Sequence, residues 1–287
     1  MSERIPAIIT ARGGSRRYPG KNVLPFCGHP LVAWSIIQAD ASERCTDIFV
    51  STDDDLIAAI SETYGAEIIW RPGWTDADEL TVGIPVLHAM KEIRKKFEYS
   101  RAFTMLPTSP LRYPWDMDNM VAKADDIIRR KGTDKINVNS QATMPECCIV
   151  RKLDDIQHAP FTHNKYAQFL NQGGGLNLPN IEIYEQITNA NPRTDKEIDA
   201  KVADNAIYIT GQIGENGRRH EHWDYYFELK QFQAFDIDNE EQFTFVEALM
   251  KAFILGEKGR RVYDEYKMAK LKQRATRTQG VVRDKVT

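Results

Sequence analysis

Short apolar runs alternate with amphipathic stretches through the first half of the chain. Pro6 to Thr10, Asp47 to Ser51, Ala66 to Trp70 and Ala102 to Leu106 are each five residues long and mostly apolar. Their length and composition predict buried strands. Between them, 30–39, 56–64 and 85–95 repeat apolar residues at helical spacing, and Trp115 to Arg130 continues the pattern. Pro30 stands in the first turn of the first helix, Thr52-Asp53-Asp54-Asp55 caps the second, and Gly65 ends it. Val86, Leu87, Met90 and Ile93 share one face of the third. The βα rhythm predicts a parallel sheet with helices on its faces. Lys135 to Asn139 is a fifth strand.

From 141 to 200 the rhythm is lost: the segment is polar, carries Gly173-Gly174-Gly175 and has no strong helical face. It reads as an excursion that packs on a second subunit, because alone it has little to bury against. Strands resume at 205–210 and 233–238. A helix then begins near Asn239, with Phe243, Val246, Met250 and Phe253 spaced as core residues. No internal repeat is present.

Composition narrows the class. The chain has 287 residues, 42% hydrophobic and 28% charged, and a net charge of -3, ordinary values for a soluble globular protein. The charge is uneven: residues 257–287 hold ten Lys and Arg against four Asp and Glu, a net +6 that leaves −9 elsewhere. An acidic body argues against a nucleic-acid binder, and the basic tail reads as a solvated helix with a frayed end. Cys27, Cys45, Cys147 and Cys148 show no C-x-x-C spacing, so neither a zinc site nor a disulfide framework is expected. With no apolar leader and no stretch of membrane-spanning length, the expected compartment is the cytoplasm.

The candidate chemistry starts in the loop after the first strand, Ala11-Arg12-Gly13-Gly14-Ser15-Arg16-Arg17-Tyr18-Pro19-Gly20-Lys21-Asn22. A glycine pair lets the backbone turn sharply, and Arg12, Arg16, Arg17 and Lys21 supply the charge a triphosphate needs. Such a cluster also occurs as a solvated loop. Its place at the carboxyl end of the first strand of an open α/β sheet favours the polyphosphate reading. It is neither a Walker A loop, since Asn22 stands where Ser or Thr would bind magnesium, nor a G-x-G-x-x-G fingerprint. Further along, the planar fork of Arg71 suits a base carbonyl. Asp236 and Asp238, one residue apart on the last expected strand, point to one side with Ile237 on the other. Two such carboxylates repel and call for a cation, magnesium being the natural one, although Asp238 also suits a helix cap. His88 sits among apolar helix neighbours and reads as packed.

The loop Arg12-Gly13-Gly14-Ser15 through Pro19-Gly20-Lys21-Asn22 resembles the signature of the acylneuraminate cytidylyltransferases. The likeness continues in order through Val50-Ser51-Thr52-Asp53, Arg71-Pro72, Asp78 with Leu87-His88-Ala89, Pro107-Thr108-Ser109-Pro110-Leu111-Arg112, Asn205-Ala206-Ile207-Tyr208 and Asp236-Ile237-Asp238. It covers roughly residues 5–140 and 203–254. The resemblance implies a Rossmann-like nucleotide-diphospho-sugar transferase fold of class α/β, with a nucleotidyltransferase domain over 1–140 and 203–256. A dimerisation arm over 141–202 and a basic tail over 257–287 complete the expected organisation. The implied activity is transfer of CMP from CTP to the anomeric hydroxyl of a 2-keto sugar acid, of sialic, legionaminic or pseudaminic type, with release of pyrophosphate. By similarity, Arg12, Gly13, Gly14, Ser15 and Lys21 hold the triphosphate, Asn22 contacts the nucleotide and Arg71 reads cytosine. Asp236 and Asp238 hold Mg2+, and with Arg12 and Lys21 form the catalytic set. Thr108, Arg193, Asn205 and Tyr208 face the acidic sugar. The implied partners are these two substrates and a second copy of the chain, a homodimer.

Two departures fall on the acceptor side. The family usually has Gln before Pro-Thr-Ser-Pro-Leu-Arg, where this chain has Leu106. It often has Arg-Pro before Asn-Gly-Ala-Ile-Tyr, where this chain has Ala203-Asp204 and lacks the Gly. They leave open a nucleotidyltransferase for an octulosonic acid or a phosphonate, and a catalytically silent nucleotide-binding relative.

Overall fold

The first apolar run becomes the centre of the sheet. A computed structural model of the chain describes residues 3–15, 17–74, 83–132, 137–143, 201–210, 224–256 and 263. Its strands are β1 (Ala7–Thr10), β2 (Pro25–Phe26), β3 (His29–Pro30), β4 (Ile48–Thr52), β5 (Glu67–Trp70), β6 (Ala102–Met105), β7 (Asn137–Thr143), β8 (Lys201–Thr210) and β9 (Asp224–Leu229). Its α-helices are α1 (Leu31–Ala41), α2 (Asp55–Thr63), α3 (Gly83–Arg94), α4 (Asp116–Lys131) and α5 (Glu240–Leu249). Seven strands form one sheet in the order β5-β4-β1-β6-β8-β7-β9, while β2 and β3 make a separate hairpin. Only β8 runs against its neighbours, pairing antiparallel with β6 and β7. The sheet is therefore mostly parallel, and the strand order reverses between β1 and β6.

Alternation along each strand divides the core between two faces. Ala7 and Ile9 of β1 and Phe103 and Met105 of β6 pack with Val32 and Ile36 of α1, Ile57 of α2 and Met120 and Val121 of α4. Ile8 and Phe49 point the other way, onto Val86, Met90 and Ile93 of α3. A third cluster lies beside the sheet: Phe26, Leu31, Trp34, Leu111, Ile237, Val246, Met250, Ile254 and Tyr263 are buried together. Helix α1, apolar nearly all round, is thus covered both by the sheet and by this third cluster.

Several sequence expectations change. Residues 233–238 are not a strand: Gln231–Ala234 is a 3-10 turn, and residues 235–238 have no ladder partner. Ile237 is fully buried in the third cluster, and its N–H donates to the Thr108 carbonyl at 2.8 Å instead of to a strand. The alternation read from sequence was alternation of burial, not of sheet pairing. Strand β9 was not expected, and it pairs parallel with β7 from Asn137↔Asp224 to Ala142↔Leu229. Phe253 was expected in the core but is 50% exposed, stacked on Phe232. Met250–Ile254 is a π-turn, closed by Leu255 N–H on the Met250 carbonyl, and the extra residue per turn carries Ile254 inward in place of Phe253.

β7 and β8 pair as far as Thr143↔Lys201, so the sheet runs past both edges expected for the arm. Residues 144–200, including Arg193, lie outside the described residues, as does Asp78. So does most of the tail. At Tyr263, however, the expected solvated helix is corrected: this side chain is buried, its ring against Trp34 and its hydroxyl donating to the Arg112 carbonyl at 2.9 Å.

Candidate active site

Parallel strands deliver their following loops to one edge, so the loops after β1, β4, β5 and β6 gather at the carboxyl end of the sheet, beside the β1/β6 reversal. The loop after β1 is fastened at both ends. Gly13 N–H donates to Asp53 Oδ1 at 3.0 Å, and Asn22 Nδ2 donates to the Arg12 carbonyl at 3.0 Å. Asp53 and Asp54 divide their work: Asp54 caps α2 by accepting from Ile57 N–H at 2.8 Å, while Asp53 holds the glycine turn. The capping expected from sequence is thus carried by Asp54.

Gly13 and Gly14 are not equivalent. A Cβ on Gly13 would lie 2.4 Å from Asp54 Oδ2 and 2.7 Å from Asp54 Cβ, whereas one on Gly14 would meet nothing within 4 Å. Asp54 cannot rotate its own Cβ away. Gly13→Ala is therefore expected to lower stability by about 1–3 kcal/mol by overpacking, and Gly14→Ala to stay within about 0.5 kcal/mol of the parent. Thermal melts of the two variants side by side check this; equal melting temperatures would contradict it.

Arg71 comes from the loop after β5. Its Nε donates to Ser51 Oγ at 3.1 Å and its NH2 to the Ser51 carbonyl at 3.0 Å, which locks the guanidinium against the end of β4. Burial lowers its pKa to about 10, Asp53 opposing and Arg12 adding to the drop, so it stays protonated at neutral pH. Arg12, Arg71 and Asp53 are therefore electrostatic neighbours. Asn22 is only 6% exposed, and its Oδ1 has no hydrogen-bond partner. A buried acceptor left so costs about 1–3 kcal/mol and marks where a ligand donor would be rewarded.

The second half of the site is built from the far end of the chain. Burial of Ile237 leaves Asp236 and Asp238, both half-buried, on either side of it. Ser109 Oγ donates to Asp236 Oδ1 at 2.8 Å. Arg17 NH1 reaches Asp238 Oδ2 at 2.7 Å, and Lys21 Nζ lies 3.6 Å from Asp238 Oδ1. Lys21 also donates to the Ile237 carbonyl and is 9% exposed. Burial lowers its pKa, and the charges of Asp236 and Asp238 pull it back. The aspartates thus face the cationic limb of the glycine loop, although no strand aligns them.

Of the residues expected at the site, Arg12, Gly13, Asn22 and Arg71 form one group, and Lys21, Asp236 and Asp238 another, joined through the short 11–22 loop. Ser15 lies within that loop, its N–H on the Gly13 carbonyl at 3.0 Å. Thr108 takes part through its carbonyl, which accepts from Ile237 N–H. Asn205 and Tyr208 are on β8, where Tyr208 registers with Thr104 and Asn205 lies two residues beyond the Met105↔Ile207 rung, toward the carboxyl edge of β6. His88 packs its ring edgewise against Trp74 at 5.7 Å, as expected of a packed residue. Cys27 and Cys45 carry free thiols whose pKa burial raises to about 12.

Ser109 and Arg112 were not expected to build the site. Arg112 is completely buried, donating to Ser35 Oγ at 3.2 Å, Gln38 Oε1 at 2.7 Å and the Leu106 carbonyl at 2.6 Å. It pins the loop that carries Thr108 and Ser109. Both residues stand in the quoted motif, but nothing local in sequence ties Ser109 to a carboxylate 127 positions away.

The chain is an α/β protein whose mostly parallel sheet carries a basic glycine loop and opposing carboxylates at its carboxyl edge. The family described as Cytidylyltransferase matches residues 6–125 of the chain. The CMP-N,N'-diacetyllegionaminic acid synthase of Legionella pneumophila is 34% identical over 150 residues, covering 50% of this chain and 62% of that protein. The N-acylneuraminate cytidylyltransferase of Escherichia coli is 28% identical over 169 residues, 59% of this chain and 39% of that one. The chain thus spans less than two thirds of the length of these relatives. In fold it is similar to CMP:2-keto-3-deoxy-manno-octonic acid synthetase complexed with CTP, with a TM-score of 0.57 and 14% identity over 87% of this chain and 99% of the other.

Proposed function

We propose that the chain transfers CMP from CTP to the anomeric hydroxyl of a 2-keto sugar acid of the legionaminic, sialic or pseudaminic type, releasing pyrophosphate. The observation that carries this reading is the meeting of Lys21 and Arg17 of the glycine loop with Asp238 at the carboxyl edge of the sheet. The relatives named above supply the base and the acceptor class.

In this reading Arg12 and Lys21 neutralise the polyphosphate, Gly13 lets the backbone approach it, and Arg71, fixed on Ser51, presents its remaining N–H groups to cytosine. Asn22 Oδ1 accepts from a nucleotide hydroxyl, which satisfies its orphaned lone pair. The acceptor oxygen attacks the α-phosphorus and pyrophosphate departs, so negative charge grows on oxygens that fixed cations already face. Thr108, Asn205, Tyr208 and Arg193 are assigned to the acidic sugar.

The donor set fits magnesium. Asp236 and Asp238 offer hard oxygen ligands, and no group of three metal-ligating side chains forms among the described residues. Magnesium is commonly held by one or two carboxylates, with phosphate oxygens and water completing the shell. When bound, it would screen phosphate charge and acidify the attacking hydroxyl. Ser109 holds Asp236 in place for that role.

No helix among the described residues is long and apolar enough to cross a membrane. A homodimer in the cytoplasm, with 144–200 as the segment reaching a second copy, belongs to the same proposal.

The test is pyrophosphate release from CTP and magnesium with a panel of acids. Release with nine-carbon 2-keto acids is expected. Release only with an octulosonic acid would move the assignment to the alternative that Leu106 motivates, and CTP binding without release for any acceptor would identify a silent relative.

A further inference from the structure

Each oxygen of Asp238 faces a cation of the glycine loop: Oδ1 faces Lys21 at 3.6 Å and Oδ2 faces Arg17 at 2.7 Å. The two cations differ in freedom. Lys21 is buried and tethered to the Ile237 carbonyl. The Arg17 side chain is 54% exposed and closes the outer side of the carboxylate. Its backbone is nevertheless steadied, because the next residue, Tyr18, packs its ring edgewise on Phe243 of α5 at 5.7 Å. Arg17 can therefore swing while its anchor stays still.

The charges explain what such an arrangement does. Asp236 and Asp238 are balanced by Lys21 and Arg17. A divalent cation entering alone would meet Asp238 with a cation facing each oxygen, Lys21 on Oδ1 and Arg17 on Oδ2. A nucleotide triphosphate changes the balance, since it brings several negative charges and is a better bidentate partner for a guanidinium than a single shared carboxylate. We propose that Arg17 makes metal binding conditional on nucleotide: it occupies Asp238 in the nucleotide-free protein and transfers to the polyphosphate when CTP arrives, releasing the carboxylate to the metal. This rests on the metal assignment of the preceding section and adds to it an order of events.

The experiment is a titration of Mn2+ into the full chain, read by the electron-paramagnetic-resonance signal of the free ion, with and without CTP and with no acceptor present. Without CTP, Arg17→Gln is expected to bind Mn2+ about tenfold more tightly than the parent, the order expected from removing one charge a few ångströms from a divalent ion in a solvated site. With CTP the two proteins are expected to converge. Adding Asp238→Asn to Arg17→Gln is expected to abolish the gain. Equal affinities of parent and Arg17→Gln without CTP would overturn the role of Arg17, even if Asp238→Asn still weakened Mn2+ binding in CTP. Mn2+ binding unchanged by Asp238→Asn under every condition would instead overturn the metal assignment itself. Far-ultraviolet circular dichroism of each variant separates these outcomes from misfolding.

Discussion

Asp238→Ala is expected to lower kcat for pyrophosphate release about a thousandfold, the scale of losing one fixed electrostatic contact to a transition state, while the protein stays folded. The fold is expected to survive because the segment is held by other groups. Asp238 N–H donates to Gln242 Oε1 at 2.7 Å, Ile237 N–H to the Thr108 carbonyl at 2.8 Å, and the Ile237 side chain is sealed in the third cluster. None of these uses the carboxylate. What disappears is one of the two carboxylates proposed to hold the metal and a counter-charge of the buried Lys21, whose pKa is expected to fall further below its ordinary value. Asp238→Asn loses both as well but keeps the side chain's volume and a polar oxygen near Lys21, so it separates loss of charge from loss of bulk. Both variants are expected to show that roughly thousandfold loss and to melt within a few degrees of the parent. Wild-type kcat in either would remove Asp238 from the chemistry.

The alternation of strands and helices from β1 to α4 was legible because each apolar run coincided with its own punctuation: Pro30 at the start of α1, Asp54 at the cap of α2, Gly65 before β5, Gly132 in a left-handed C-cap after α4. Where pattern and punctuation parted, the reading failed in instructive ways. Phe235 and Ile237 alternate with polar residues as a strand would, but they alternate across a helix-capped side cluster, not across a sheet. Tyr225-Tyr226-Phe227 of β9 carries the aromatic enrichment of a strand without alternation, and that enrichment was the available signal. The π-turn after α5 leaves no mark in composition, so a period of 3.6 projected through it puts Phe253 where Ile254 belongs.

The site was legible in its ends and not in its joints. The glycine loop announced itself by charge and position, and the aspartate pair by spacing. Their meeting depends on contacts that no local pattern encodes: Ser109 with Asp236, Thr108 with Ile237, Arg112 with α1. These contacts share one loop, 106–112, so a substitution in it is expected to disturb the aspartate half of the candidate site.

Arg112→Met is accordingly expected to be the most destabilising substitution in the described residues that touches no ligand, at about 3–5 kcal/mol, the scale of dismantling a fully buried, hydrogen-bonded polar network. The guanidinium is completely buried and donates to acceptors that include Ser35 and Gln38 of α1 and the Leu106 carbonyl just after β6. Gln38 in turn donates from Nε2 to the Pro110 carbonyl at 2.7 Å, and Gln233 Nε2 holds the Leu111 carbonyl at 2.9 Å. Methionine fills much of the stem's volume but leaves those acceptors in a dry interior without their donor. Lysine is not expected to rescue the loss, since a single ammonium cannot span the positions a planar fork reaches. At 2–4 °C per kcal/mol for a chain of this size, the melting temperature is expected to fall by roughly 10 °C. Ser109→Ala provides the contrast. It removes one hydrogen bond to Asp236 and is expected to cost about 1 kcal/mol of stability while lowering kcat more than it raises KM for CTP. Urea titrations of both variants, paired with kcat and KM, test this division. An Arg112→Met protein within 1 kcal/mol of the parent would show that the loop is held by its prolines and Tyr263 instead.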